Sequence, residues 1–328
     1  MKVSASLPTG VAALFFDSAR RHRELEGRLV KRLMDHGFDE VILPVVDYLD
    51  PYEEMPSGVR RDELYRFVDR DGQVLALRSD FTTMLARLIA PRLATLELPL
   101  KLFYRGDVLR YQQDRAGRQR EFYQLGGEVL GAVGGEDGGE DGERAVLTEF
   151  LDLLAATGRR PLLVVLGFAG ALDGLLLGFK GRLAYAAAAV VRRERRAFRD
   201  GAEALLQVVE SGMPADVAAL GEEAGARLGR LTALAGELAE RFPRIAVRVD
   251  LAEFGDQVVA PELRRRLALR PYYDGLVFRA FAGRAAEPVG GGGRYDRLFQ
   301  RLGVTATASG FSLSLDRLWE AETREDEA

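Results

Sequence analysis

The chain has 328 residues, 47% of them hydrophobic, enough for one large core with a smaller satellite. Lysine plus arginine is 46 against 50 acids, a formal net charge of −4, so a basic nucleic-acid face and a tRNA partner are not expected. With no cysteine, disulfides and thiolate chemistry are excluded; with His22 and His36 the only histidines, a histidine-based metal site or general base is improbable.

The first residues lack the basic, apolar and cleavage regions of a signal peptide. The longest apolar run, Leu162–Phe179, is broken by Asp173 and by glycines, too interrupted for a membrane span. The expectation is a soluble cytoplasmic protein with no membrane partner, no metal and no cofactor.

Residues 11–36 place Phe15, Ala19, Leu25, Leu29 and Leu33 near helical spacing, and Gly37 supplies a stop. "EVILPVVDYLD" reads as a strand interrupted by Pro44, hence an edge or interface strand. "LYRFVDRDGQVLALRSD" is a hairpin about the turn dipeptide Asp71-Gly72, followed by a helix from near Thr82 to Pro91. "LKLFYRGDVLRYQQ" and "REFYQLGGEVLG" form a second strand pair joined by "DRAGR". "GAVGGEDGGEDGERA" is polar enough to be a flexible loop, with a helix from about Arg144 to Ala156 and a strand at "PLLVVLGF" beyond it.

Residues 170–242 change character to Ala, Leu, Arg and Glu at helical spacing, a small helical insertion broken at Met213-Pro214. Strands resume at "RIAVRVDL" and "YYDGLVFRAF", then a glycine turn with a helix in "GGGGRYDRLFQRLG" and a strand running into a helix in "ASGFSLSLDRLWE". The expected division is a core in two parts, 1–169 and 243–320, the insertion 170–242, and a charged tail 321–328. Hairpins dominate and alternating βαβ units are missing, which predicts an α+β fold with a mostly antiparallel sheet flanked by helices.

Three segments offer convergent polar groups: Arg78, Asp80 and Thr82 at a hairpin end; Arg110, Gln124 and Glu128; and Tyr272, Tyr273 and the loop 290–296, with Arg317 beyond. Gln124 and Glu128 are an even number apart, so both face one side of a strand. Acids with a glutamine suit an ammonium group, Glu128 with tyrosines suits an imidazole, and an arginine suits a carboxylate or phosphate. Blander roles stand beside these. Arg110 and Arg317 can pair with carboxylates such as Glu128, Arg118 and Arg120 can sit on a solvated or partner-contacting hairpin face, and Gly290–Gly293 can simply make a tight turn. Tyr272 and Tyr273 alternate faces, so at most one lines the pocket and the other is core.

"RQREFYQLGGEVLG" and "SGFSLSLDRL" resemble motifs 2 and 3 of class II aminoacyl-tRNA synthetases, histidyl-tRNA synthetase in particular. "GGGRYDRL" is similar to that family's glycine loop, "LRSDFT" to its amino-group-binding segment, and "GFDEVILPVVDY" to motif 1. The resemblance covers nearly the whole chain, the helical middle only by position. It implies a class II synthetase-like fold, with Pro44 at a homodimer interface. It also implies a histidine-like pocket of Asp80, Thr82, Arg110, Gln124, Glu128, Tyr272, Tyr273 and Arg317.

Departures from the synthetase pattern accompany this. Where the family has an arginine followed two residues later by a glutamate, here stand Arg110 and Gln112. Losing one charge-assisted hydrogen bond costs ~1.5–3 kcal/mol. Where the synthetase has an arginine four residues before the double tyrosine, here stands Ala268, with Pro271 reshaping the approach and Arg266 and Arg270 the nearby alternatives. Removing a transition-state donor typically costs ~10²–10³ in rate. The synthetase also continues past motif 3 into an anticodon-binding domain, whereas this sequence ends there. The profile, with "YYDGLVF" and "VLRYQQDRAGRQREFYQLG", resembles the regulatory-subunit family of ATP phosphoribosyltransferase. That resemblance implies no catalytic residue of its own, a short-form catalytic subunit as partner and histidine as effector. The other reading is an amino-acid-activating enzyme, a divergent or truncated synthetase or an adenylating paralogue.

Overall fold

The hairpins expected from the sequence set the frame of the computed structural model, which describes residues 6–54, 59, 61–111, 119–131, 138–179, 183–198, 202–267, 272–283 and 287–326. The strands are β1 Asp39–Glu40, β2 Val46–Tyr48, β3 Arg66–Val68, β4 Val74–Leu77, β5 Leu100–Leu109, β6 Glu121–Leu130, β7 Leu162–Phe168, β8 Ile245–Val249, β9 Leu276–Ala282, β10 Gly290–Arg294 and β11 Ala308–Ser314. The helices are α1 Phe16–Asp35, α2 Asp50–Glu54, α3 Thr82–Ile89, α4 Gly138–Ala156, α5 Asp173–Gly178 and α6 Leu183–Val191. They continue with α7 Glu203–Ser211, α8 Glu222–Arg241, α9 Pro261–Leu267, α10 Asp296–Arg301 and α11 Leu315–Asp326.

The large sheet has the order β1-β5-β6-β11-β10-β9-β7-β8, and a small one the order β2-β4-β3. Only the outermost pairs of the large sheet, β1 with β5 and β7 with β8, run parallel. The long β5–β6 hairpin and β11 beside it make the centre antiparallel, as expected for this α+β class. Pro44 lies where the first strand breaks, and its two halves join different sheets.

Leu25, Leu29 and Leu33 of α1 and Val146, Leu147, Phe150 and Leu154 of α4 pack into one apolar cluster with Leu125, Leu166 and Phe278 of the sheet. Leu205, Val208, Leu231 and Leu238 from the helical stretch join that same cluster. Phe150 is at its centre, with ring centroids 4.8 Å from Phe278 and 5.7 Å from Phe311.

Four local features depart from or extend the expected elements. The apolar spacing runs past the helix: Phe15 is exposed and extended, because the arm before α1 is held by Arg120 and Glu121 amides on the Gly10 carbonyl. Helix α4 begins at Gly138, inside the Gly-acidic stretch, where Asp141 in the first turn suits the positive end of the helix dipole. Helix α11 runs through most of the charged tail. The glycine run is not a turn but strand β10, since a Cβ at Gly292 would lie 2.1 Å from the Gly310 carbonyl and one at Gly293 2.2 Å from that of Leu276. Gln112, Arg118, Ala268, Arg270 and Pro271 lie outside the described residues.

Truncating Phe150 to alanine is expected to cost about 3–5 kcal/mol of unfolding free energy. Chemical denaturation should report this as a lowered midpoint with little change in slope.

Candidate functional site

Strand β6 carries the centre of the site. Gln124 and Glu128 share its inward face, and between them Gly126 leaves room for the Tyr104 ring, which a Cβ there would meet at 2.5 Å. Glu128 is buried and accepts three hydroxyl donors: Thr82 Oγ1 at 2.7 Å and Tyr104 OH at 3.0 Å on Oε1, and Tyr295 OH at 2.5 Å on Oε2. Burial pushes its carboxyl up to about 7, and the hydroxyl bonds oppose the rise without cancelling it. The neighbouring Gly310 is required by the same packing, for a Cβ there would fall 1.5 Å from Glu128 Oε2.

Asp80 arrives from the turn before α3. Its Oδ1 accepts the Thr83 amide at 2.8 Å, while Oδ2 is buried with no hydrogen-bond partner among the described residues. Burial raises its carboxyl too, against the pull of the Thr83 bonds and of Arg110. Gln124 Oε1 is likewise buried and unpartnered. Tyr272 stacks on Tyr295 with centroids 5.3 Å apart, and Tyr273 meets Tyr272 edge-on at 4.8 Å. Burial lifts the Tyr272 hydroxyl well above its ordinary range and that of Tyr273 to about 12, so both remain protonated donors.

These groups line one open cavity of about 100 Å³, together with Val59, Gly291, Gly292, Phe311 and Ser312. Asp80, Thr82, Arg110, Gln124, Glu128, Tyr272 and Tyr273 are all brought together there. Arg317 is not among the lining residues: it donates to the Pro288 carbonyl at 2.7 Å and lies 5.7 Å from the Phe122 ring centroid. Arg110 lies 5.3 Å from the same ring and donates to the Ser79 carbonyl at 2.8 Å, while the oxygens of Glu128 are taken up by hydroxyls. Both tyrosines line the cavity, contrary to the alternating expectation, because β9 starts only at Leu276 and residues 272–275 form a bend. Sequence reasoning missed Tyr104, whose signal was its place opposite Gly126 in the hairpin register, and did not single out Tyr295 within the glycine segment.

Among the described residues no cluster of His, Cys, Asp or Glu could hold a metal ion, and no helix is long and apolar enough to cross a membrane. A larger cavity, about 360 Å³, lies between α4 and α8. Its arginines are engaged at home, Arg227 with Glu143 at 3.0 Å and Arg144 with Glu237 at 2.5 Å, so the small cavity is the better ligand site. Unpartnered buried acceptors at Asp80 and Gln124, beside Glu128, ask for a ligand that brings donors, such as an ammonium or a ring N–H.

The family model for histidyl-tRNA synthetase matches residues 10–318. The chain belongs to the histidyl-tRNA synthetase family. Relatives under two names accompany it. An ATP phosphoribosyltransferase regulatory subunit from Moorella thermoacetica is 33% identical over 338 residues, covering 95% of this chain and 80% of the relative. A histidine–tRNA ligase from Pyrobaculum islandicum is 31% identical over 312 residues, covering 91% and 70%. The crystal structure of an ATP phosphoribosyltransferase regulatory subunit/histidyl-tRNA synthetase from Bacillus halodurans C superposes with a TM-score of 0.77. It has 24% identity over 98% of this chain and 84% of that one, a likeness of fold. The resemblances expected from the motifs, to the class II fold and to the regulatory subunits, are met.

Glu128 gives the site a pH signature. Its carboxyl binds a proton up to about 7 in the folded state but only to its ordinary value of 4.5 when unfolded. Between those values the native state holds the extra proton, so the contribution of this group to stability falls as pH rises through 7. The full effect is on the order of 3 kcal/mol. Unfolding free energies from pH 5 to 8 should decline less steeply in Glu128→Gln than in the parent protein.

Proposed function

We propose that this chain is the regulatory subunit of an ATP phosphoribosyltransferase, binding a short-form catalytic subunit, raising its activity and making it sensitive to histidine. One observation carries the reading. The half of the pocket that receives an amino acid is complete, with orphan acceptors at Asp80 and Gln124 beside hydroxyl-bound Glu128, whereas Gln112 and Ala268 stand where the synthetase keeps charge-handling residues. A site built this way holds its ligand and has lost the groups that would help it react with ATP. The Moorella relative's name accords with such a role.

In this reading histidine places its ammonium against Asp80 and Gln124 and a ring N–H toward Glu128. Its carboxylate is left to Arg110, the half-buried cation of the cavity lining. Tyr272 and Tyr273 close the aromatic side. A homodimeric core is supported by the apolar residues Ile42, Val45, Val46 and Tyr48, which stay exposed around the Pro44 break, and by Phe67, Val68 and Val74 on the small sheet. The chain itself would perform no catalysis.

Phosphoribosyl transfer by the same organism's catalytic subunit tests this, alone and with this chain, with and without histidine. The rate should rise on mixing and fall with histidine. Asp80→Asn should raise the histidine concentration for half-inhibition by about tenfold or more, the loss of one charge-assisted bond of ~1.5–3 kcal/mol. A rate that ignores this chain, with no co-elution of the two proteins, would sink the proposal and leave the amino-acid-activating enzyme standing.

A further inference from the structure

A column of buried side chains runs from the pocket to the exposed apolar segment around Pro44. Tyr104 donates to Glu128 at 3.0 Å. Behind it the Phe81 ring stacks at 4.3 Å with planes only 10° apart. Behind Phe81 the Arg78 guanidinium lies 4.0 Å from the ring centroid. Arg78 then donates to the Leu43 carbonyl at 2.7 Å and the Pro44 carbonyl at 3.1 Å, and twice to the Asp107 carbonyl, at 2.8 and 3.1 Å. Its own amide donates to the Val45 carbonyl at 2.7 Å.

Every member of the column is at most 3% exposed. Two glycines make the space: a Cβ at Gly126 would strike the Tyr104 ring, and one at Gly106, whose φ is +144°, would stand 3.0 Å from Arg78 Nη2. A guanidinium whose fork is spent on backbone carbonyls fixes the positions of those carbonyls. The segment it fixes is the one that leaves Ile42 90% exposed, with Val45 and Val46 beside it. Close-packed rings pass a displacement on, because the interior has no slack to absorb it.

We propose that Arg78 and Phe81 are positioning residues that couple occupancy of the pocket to the order of segment 41–48, the exposed apolar face on which the proposed homodimer would form. The proposal rests on the histidine-pocket reading. A ligand that restrains Glu128 restrains Tyr104, and through the stacked rings and the Arg78 fork it orders the carbonyls of Leu43 and Pro44. Ordering that is complete before docking need not be supplied by docking, so the ligand favours self-association and self-association favours the ligand.

Amide hydrogen exchange on the full chain, with L-histidine as probe and calorimetry to confirm binding, tests the coupling. In the parent protein bound histidine should slow exchange across residues 41–48 by about fivefold or more, the lower end of typical coupling strengths. The slowing should disappear in Phe81→Leu and in Arg78→Lys, each of which still takes up histidine. Tyr104→Phe keeps the stack and removes only the hydroxyl that meets Glu128 and, at 3.4 Å, Thr82 Oγ1, so it carries the least risk to folding and should lose the slowing as well. Histidine bound with exchange at 41–48 unchanged in the parent protein overturns the coupling alone, as does slowing that survives in the variants. No uptake of histidine by the parent protein overturns the pocket reading and the coupling with it.

Discussion

A carboxylate buried in the sheet and met by three hydroxyls is the constraint on which the rest of the site depends. Removing Glu128 from water is costly, and it is tolerated because Thr82, Tyr104 and Tyr295 each donate to it. Those donors come from α3, β5 and the turn after β10, so one carboxyl group ties the two halves of the sheet together. The same demand explains the glycines at 126 and 310, where any side chain would take the space of the Tyr104 ring or of the carboxylate itself. A polar group held this firmly, with unpartnered acceptors at Asp80 and Gln124 nearby, is organised for a ligand that supplies donors.

Much of this was legible in the sequence, for definite reasons. The even spacing of Gln124 and Glu128 in a β-rich run fixed them on one face, and Asp71-Gly72 fixed the hairpin that delivers Asp80. Motif resemblance then joined segments that no local periodicity could join. What stayed hidden depended on tertiary packing. A run of four glycines reads as a turn, because nothing local says that neighbouring backbones exclude every Cβ and make it a central strand. Tyr104 carried no local signal until the register set it opposite Gly126. Arg317 matched its motif, yet its guanidinium is engaged by the Pro288 carbonyl and the Phe122 ring rather than lining the cavity.

The family contains both ligases and regulatory subunits, and relatives of each kind match this chain at about the same identity. Fold and ancestry therefore do not separate the two roles, and the proposal rests on the retained and replaced side chains. A binding pocket kept without the groups that handle charge on ATP fits a sensor. The pH response of Glu128 and the buried column behind Tyr104 describe how such a sensor would register its ligand.

The most direct measurement sets L-histidine binding by titration calorimetry against histidine-dependent ATP–pyrophosphate exchange in the same preparation. The sensor reading predicts saturable binding, weakened in Glu128→Gln, with exchange no faster than in a protein-free control. Exchange that rises with histidine and is lost in the same variant would contradict it and make the chain an activating enzyme.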